Sequence, residues 1–96
     1  MLWVNWARLI NLIKEASIPI LITLLNNDPS HEVRAAAAAA LGHLNANQAT
    51  AGLLKAARDP NDDVRTCVAF ALGSLNPTKE IEETLNQLVV DKNDDI

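Results

Sequence analysis

The segment Asp28-Pro29-Ser30-His31-Glu32-Val33-Arg34 returns thirty-one residues later as Asp59-Pro60-Asn61-Asp62-Asp63-Val64-Arg65. The echo continues without a gap: Ala38, Ala40, Leu41, Gly42, Leu44 and Asn45 recur as Ala69, Ala71, Leu72, Gly73, Leu75 and Asn76, so ten of eighteen aligned positions are identical. A period of this length marks a stack of supersecondary units, each too small to bury its apolar face alone and dependent on its neighbours for a core. A third, one-residue-longer return starts at Asp91 and reaches Ile96, which reads as an array cut where another helix is due.

Each unit reads as two antiparallel helices. The first unit spans about Ser17–Asn26 and His31–Leu44, and the second about Gln48–Arg58 and Asp62–Leu75. Asp28-Pro29 and Asp59-Pro60 break the chain between the paired helices, because proline lacks a backbone donor and keeps the preceding residue out of the helical region. Ser30 and Asn61 stand at the N-cap positions, each followed by first-turn acids that suit the positive end of the helix dipole. In the second unit Val64, Val68, Ala71, Leu72 and Leu75 fall on one helical stripe, and Val33, Ala37, Ala40, Leu41 and Leu44 do so in the first. The run Ala35 to Ala40 suits a helix approached closely from several sides. Gly42 and Gly73 fall near the helix ends.

The units divide the single domain into repeat 1 (15–45), repeat 2 (46–76) and a partial repeat 3 (77–96). Residues 1–14 are expected to form a degenerate N-terminal capping helix that carries Trp3 and Trp6. At the other end a helix from about Lys79 to Val90 offers Ile81, Leu85, Leu88 and Val89 to a partner. That face is expected to meet the continuation of a longer array, another copy of the chain or the final residues folded back on it, the first being favoured.

Charge is balanced over residues 1–76, with six basic and six acidic side chains; the excess that gives the net charge of −4 lies in residues 77–96. Lysines and arginines are scattered singly, so a nucleic-acid partner, which requires a basic stripe, is disfavoured. Cys67 is the single cysteine and reads as a small core residue. Leu9–Ile22 is broken by Asn11, Lys14, Glu15 and Pro19 and is read as too short and polar for a membrane span, which makes the cytoplasm the expected location.

The order helix, Asp-Pro turn, Val-Arg, alanine-rich helix, late Leu-Gly and Asn loop resembles HEAT repeats, and more narrowly the HEAT-like repeats named after phycobilisome lyase subunits. Ile18-Pro19-Ile20-Leu21 is similar to the proline-bearing first helix of that family. The resemblance implies an all-α, right-handed α-solenoid of antiparallel helix pairs, first helices convex and second helices concave. It also implies a polar ladder between turns, with the turn aspartate at Asp28, Asp59 and Asp91 and the following arginine at Arg34 and Arg65.

A metal enzyme of similar architecture, deoxyhypusine hydroxylase, holds iron through His-Glu pairs, but His31-Glu32 precedes Val33-Arg34 here, whereas that family's pair follows it. His43 lies about 18 Å along the same helix, so the two histidines assemble no site. No phosphate loop and no nucleophile with a base stands out, and no cofactor is expected. The residues therefore point to a protein–protein interaction or scaffold module without catalysis of its own. Its partner would lie on the concave face along Thr66 and Phe70 of the second unit and Ala35 and Ala39 of the first. The alternative implied by the family name is a subunit or fragment of a phycobilin lyase-like, chromophore-handling protein.

Overall fold

A computed structural model describes the backbone of residues 2–93 and the side chains of residues 8–89; Trp3 and Trp6 lie outside the described side chains. Five α-helices follow one another: α1 (Leu2–Asn27), α2 (His31–His43), α3 (Thr50–Ala56), α4 (Asp62–Ser74) and α5 (Lys79–Asn93), and a short 3-10 turn, Asn47–Ala49, leads into α3. Among the described residues there is no strand.

The starts of α2 and α4 are fixed by local chemistry. Ser30 Oγ accepts the Val33 N–H at 3.4 Å, and Asn61 Oδ1 accepts the N–H groups of Asp63 and Val64 at 2.9 and 3.1 Å. Each satisfies donors that an open helix end leaves over. The aspartate before each cap holds the turn itself: Asp28 Oδ1 accepts from Ser30 N–H at 2.8 Å and Asp59 Oδ1 from Asn61 N–H at 2.9 Å.

The two helices end differently although both finish in Leu-Asn. After α2, Asn45 takes φ 51°, its N–H donates to the Gly42 carbonyl, and the Ala46 N–H donates to the Leu41 carbonyl. That is the paired closure of a left-handed helix cap, and the fully buried Ala46 packs into the core beside Leu41. After α4, Leu75 is extended at φ −90° and ψ 169°. Asn76 precedes Pro77, whose ring excludes the cap conformation from the residue before it, and the Asn76 N–H donates instead to Asn47 Oδ1 at 3.0 Å.

Two expectations about the chain ends are corrected. The first helix does not begin near Ser17: α1 runs unbroken from Leu2 to Asn27. The Ser17 hydroxyl donates to the Ile13 carbonyl at 2.7 Å within the helix. Pro19 removes one N–H, and the carbonyl it leaves over belongs to Glu15, an exposed residue. The stretch read as too short for a membrane thus forms part of a helix whose segment Arg8–Asn27 is long and apolar enough to cross one by length and composition, with a mean hydropathy of 1.4. At the other end α5 continues through Asn93, so Asp91 lies within a helix and not in a turn.

The core is built where the units meet. Leu25, Leu41, Leu53, Leu72, Val64 and Val68 are almost wholly out of water, each worth roughly 1.5–3 kcal/mol of burial. The whole stripe of α4 is buried, but that of α2 is only partly so: Val33 remains 36 % exposed where its counterpart Val64 is 0 %. α4 lies against α2 in the most extensive helix contact of the molecule, and α1 makes the next most extensive contact with α2. Cys67 is half-buried and packs against the core.

Gly42 is a packing residue inside α2 and not an end cap. A Cβ there would come within 2.9 Å of both the Ala71 Cα and the Phe70 ring, whereas one at Gly73 would meet nothing within 4 Å. Because the obstacle at Gly42 is backbone, the helices would have to part. Gly42→Ala is expected to lower unfolding stability by about 1–3 kcal/mol through overpacking. Gly73→Ala is expected to raise it by about 0.5–1 kcal/mol through helix propensity. Denaturant unfolding of the two variants checks both signs.

Candidate functional site

Two features connect the repeats on their polar and outer sides. The first is a ladder of charge. Arg34 donates from Nε to Asp59 Oδ2 at 2.8 Å and from Nη2 to Asp59 Oδ1 at 3.2 Å, while its Nη1 donates to the Asp28 carbonyl at 2.8 Å. One guanidinium thus ties the turn of its own unit to the turn of the next. Its planar fork suits this two-point grip on a carboxylate. With side chains 16 % and 9 % exposed, the pair is shielded enough for the interaction to matter.

The repeat-equivalent Arg65 makes the corresponding bond to its own turn, from Nη1 to the Asp59 carbonyl at 2.7 Å, but its Nη2 pairs with Asp62 of the same helix. Asp62 is 75 % exposed, and an ion pair of this kind contributes little. Asp28 carries the same turn bond as Asp59, but its carboxylate pairs with no arginine side chain among the described residues. The four turn residues therefore differ in role: Arg34 and Asp59 join units, while Asp28 and Arg65 serve their own turns.

Burial alone would raise the pKa of the Asp59 carboxyl. It is outweighed by the Arg34 hydrogen bond, the Asn61 N–H, and the charges of Arg34 and Arg65, so the net shift is downward. A carboxylate depressed in the folded state contributes stability above its unfolded value, about 3.9, and loses it as pH falls through the lower folded value. Asp59→Asn is expected to cost about 1.5–3 kcal/mol at neutral pH and to flatten the loss of stability below pH ~4. Denaturant unfolding across pH 2–7 measures both effects.

The second feature is the outward surface of α2 and α4. Thr66 and Phe70 lie one turn apart on α4, and Ala35 and Ala39 one turn apart on α2. Thr66 is exposed with its hydroxyl donating to the Asp62 carbonyl at 3.0 Å; Ala35 and Ala39 are half-buried. Phe70 is 48 % exposed. One side of its ring lies over Gly42, where a Cβ would come within 2.9 Å of it, and the ring is tilted 55° against that of His43 at 5.2 Å between centroids. The placement of His43 beside Phe70 was not expected from sequence: twenty-seven residues separate them, and only the side-by-side alignment of α2 with α4 brings them together. Its signal is the repeat register, which sets His43 opposite Ser74.

A family model for HEAT repeats matches residues 18–96. The chain belongs to the HEAT-repeat family. Comparison with curated proteins and with solved structures finds no match to either. The HEAT assignment accounts for the paired helices, the Asp-Pro turns and the stacking of α2 on α4, and it covers both surfaces described here.

Proposed function

We propose that this HEAT-repeat chain is a protein-interaction module, without catalysis of its own, that holds a partner segment on the concave face formed by the outward sides of α2 and α4. Arrays of this family commonly serve as interaction scaffolds, which supports the general reading. The observation that carries the choice of face is Phe70. A large aromatic ring is held in place from below by Gly42 and from the side by His43 and still keeps 48 % of its surface open. Ordering it costs little further entropy on binding, and half a phenyl ring removed from water by a partner is the kind of anchor on which interfaces concentrate their energy. Ala35 and Ala39 add a shallow floor that admits a close-fitting side chain or helix.

The test is Phe70→Glu. Because the ring lies half-buried over Gly42 and against His43, the substitution is expected to lower unfolding stability by about 1–2 kcal/mol with helicity retained, while abolishing capture of the partner from lysate, as identified by mass spectrometry. An unchanged set of captured proteins would overturn the choice of face. Collapse of helicity in the variant would show that Phe70 serves the core. A visible bilin absorbance in the captured material would move the function to chromophore handling.

A further inference from the structure

The line along which α2 receives α4 is repeated on α4 itself. Arg34, Ala38 and Gly42 stand four residues apart on α2, and Arg65, Ala69 and Gly73 are the same three residues at the same spacing on α4. Residues so spaced form one ridge along a helix. On α2 the line is occupied: Arg34 grips Asp59, Ala38 is fully buried, and Gly42 lies under the Ala71 Cα and the Phe70 ring. On α4 it is open. Ala69 is half-buried, Gly73 is exposed with nothing within 4 Å of where a Cβ would stand, and the Arg65 side chain keeps 30 % of its surface in solvent. The two arginines are set alike, each donating Nη1 to the aspartate carbonyl of its own turn. Arg34 then gives Nε and Nη2 to the carboxylate of the next turn, whereas Arg65 gives Nη2 to exposed Asp62 and its Nε–H has no acceptor among the described residues. A groove of about 560 Å³, walled on one side by Glu80, Glu83 and Thr84 of α5, leads to this guanidinium.

We infer that this edge of α4 docks a helix of a partner protein, seated as α4 is seated on α2. The occupied line states what such a helix carries. A carboxylate in the turn that leads into it meets Arg65, and eleven positions later an aromatic side chain followed by alanine lies over Gly73, as Phe70-Ala71 lies over Gly42. The two-point grip of guanidinium on carboxylate fixes the register, and the small residues of the line let the helix axes approach. A second copy of the chain does not meet this description. Its α4 is already seated on its own α2; its α2 follows Asp28 but has Ala39 where the aromatic ring is needed, and is packed against α1. The edge is a second interaction surface beside the Phe70 face and does not rest on the choice of that face.

The probe for the test is a fluorescein-labelled peptide of residues Asp59–Asn76 of this chain with Cys67→Ser, which carries both the carboxylate and the Phe-Ala pair. It is titrated with the full chain and followed by fluorescence anisotropy, and saturable binding is expected. Gly73→Leu in the chain is expected to weaken that binding at least about tenfold by filling the edge, with helicity and thermal unfolding retained because the position is open. Asp59→Asn in the peptide is expected to weaken it by a similar factor, and Phe70→Glu in the chain to leave it in place. Gly73→Gln takes over as the blocking variant if Gly73→Leu loses helicity. Absence of saturable binding would overturn the inference, as would binding indifferent to the Gly73 variants. Binding lost in Phe70→Glu and kept in Gly73→Leu would put the helix on the concave face and be equally contrary. Sedimentation equilibrium of the chain alone is expected to show a monomer; an oligomer that Gly73→Leu dissolves would make a second copy the occupant and overturn the choice of partner.

Discussion

The contact between α2 and α4 carries both joints of the molecule, one steric and one electrostatic. At one end the absence of a side chain at Gly42 lets the backbone of Ala71 come close enough for Ala38, Leu41, Val64, Val68 and Leu72 to exclude water completely. At the other, Arg34 reaches across to Asp59 while holding the carbonyl of Asp28. The apolar contact supplies most of the energy, since it removes several large side chains from water. The arginine fixes direction, because a planar fork bonded to two turns tolerates little sliding of one unit along the other.

The placement of the outer surfaces follows from that joint. Phe70 is presented to solvent because the residues on either side of it in the helical register, Val68, Ala71 and Leu72, are drawn inward. It is held upright because Gly42 leaves room beneath it. A core constraint and a candidate binding anchor therefore share one glycine. The outward side of α1 is set in the same way: once Ile18 and Leu25 are buried, the helical period leaves Leu9, Ile13 and Ile20 facing away from the body.

Much of this could be read from residues alone, and the parts that could share a cause. The caps at Ser30 and Asn61, the breaks at the Asp-Pro turns and the buried stripe of α4 arise from local chemistry or a regular period, which sequence displays directly. The parts that could not be read depend on context. Ser17 has the chemistry of a cap, yet its hydroxyl bonds back to Ile13 inside a longer helix. Asn45 and Asn76 are repeat equivalents, but Pro77 denies the second the left-handed cap that the first adopts. Val33 and Val64 are the same residue at the same register, and only the second is sealed from water. The partnership of His43 with Phe70 required the alignment of two helices before it could be seen.

Native-state amide hydrogen exchange of α2 and α4 tests the cooperative joint directly. If Gly42 and the Arg34–Asp59 pair make the two repeats a single unit, the central amides of both helices exchange with one common free energy, equal to that of global unfolding and the highest in the chain. Exchange of α2 together with α1 through a separate, cheaper opening, while α4 stays protected, would contradict it and make the repeats independent units that merely touch.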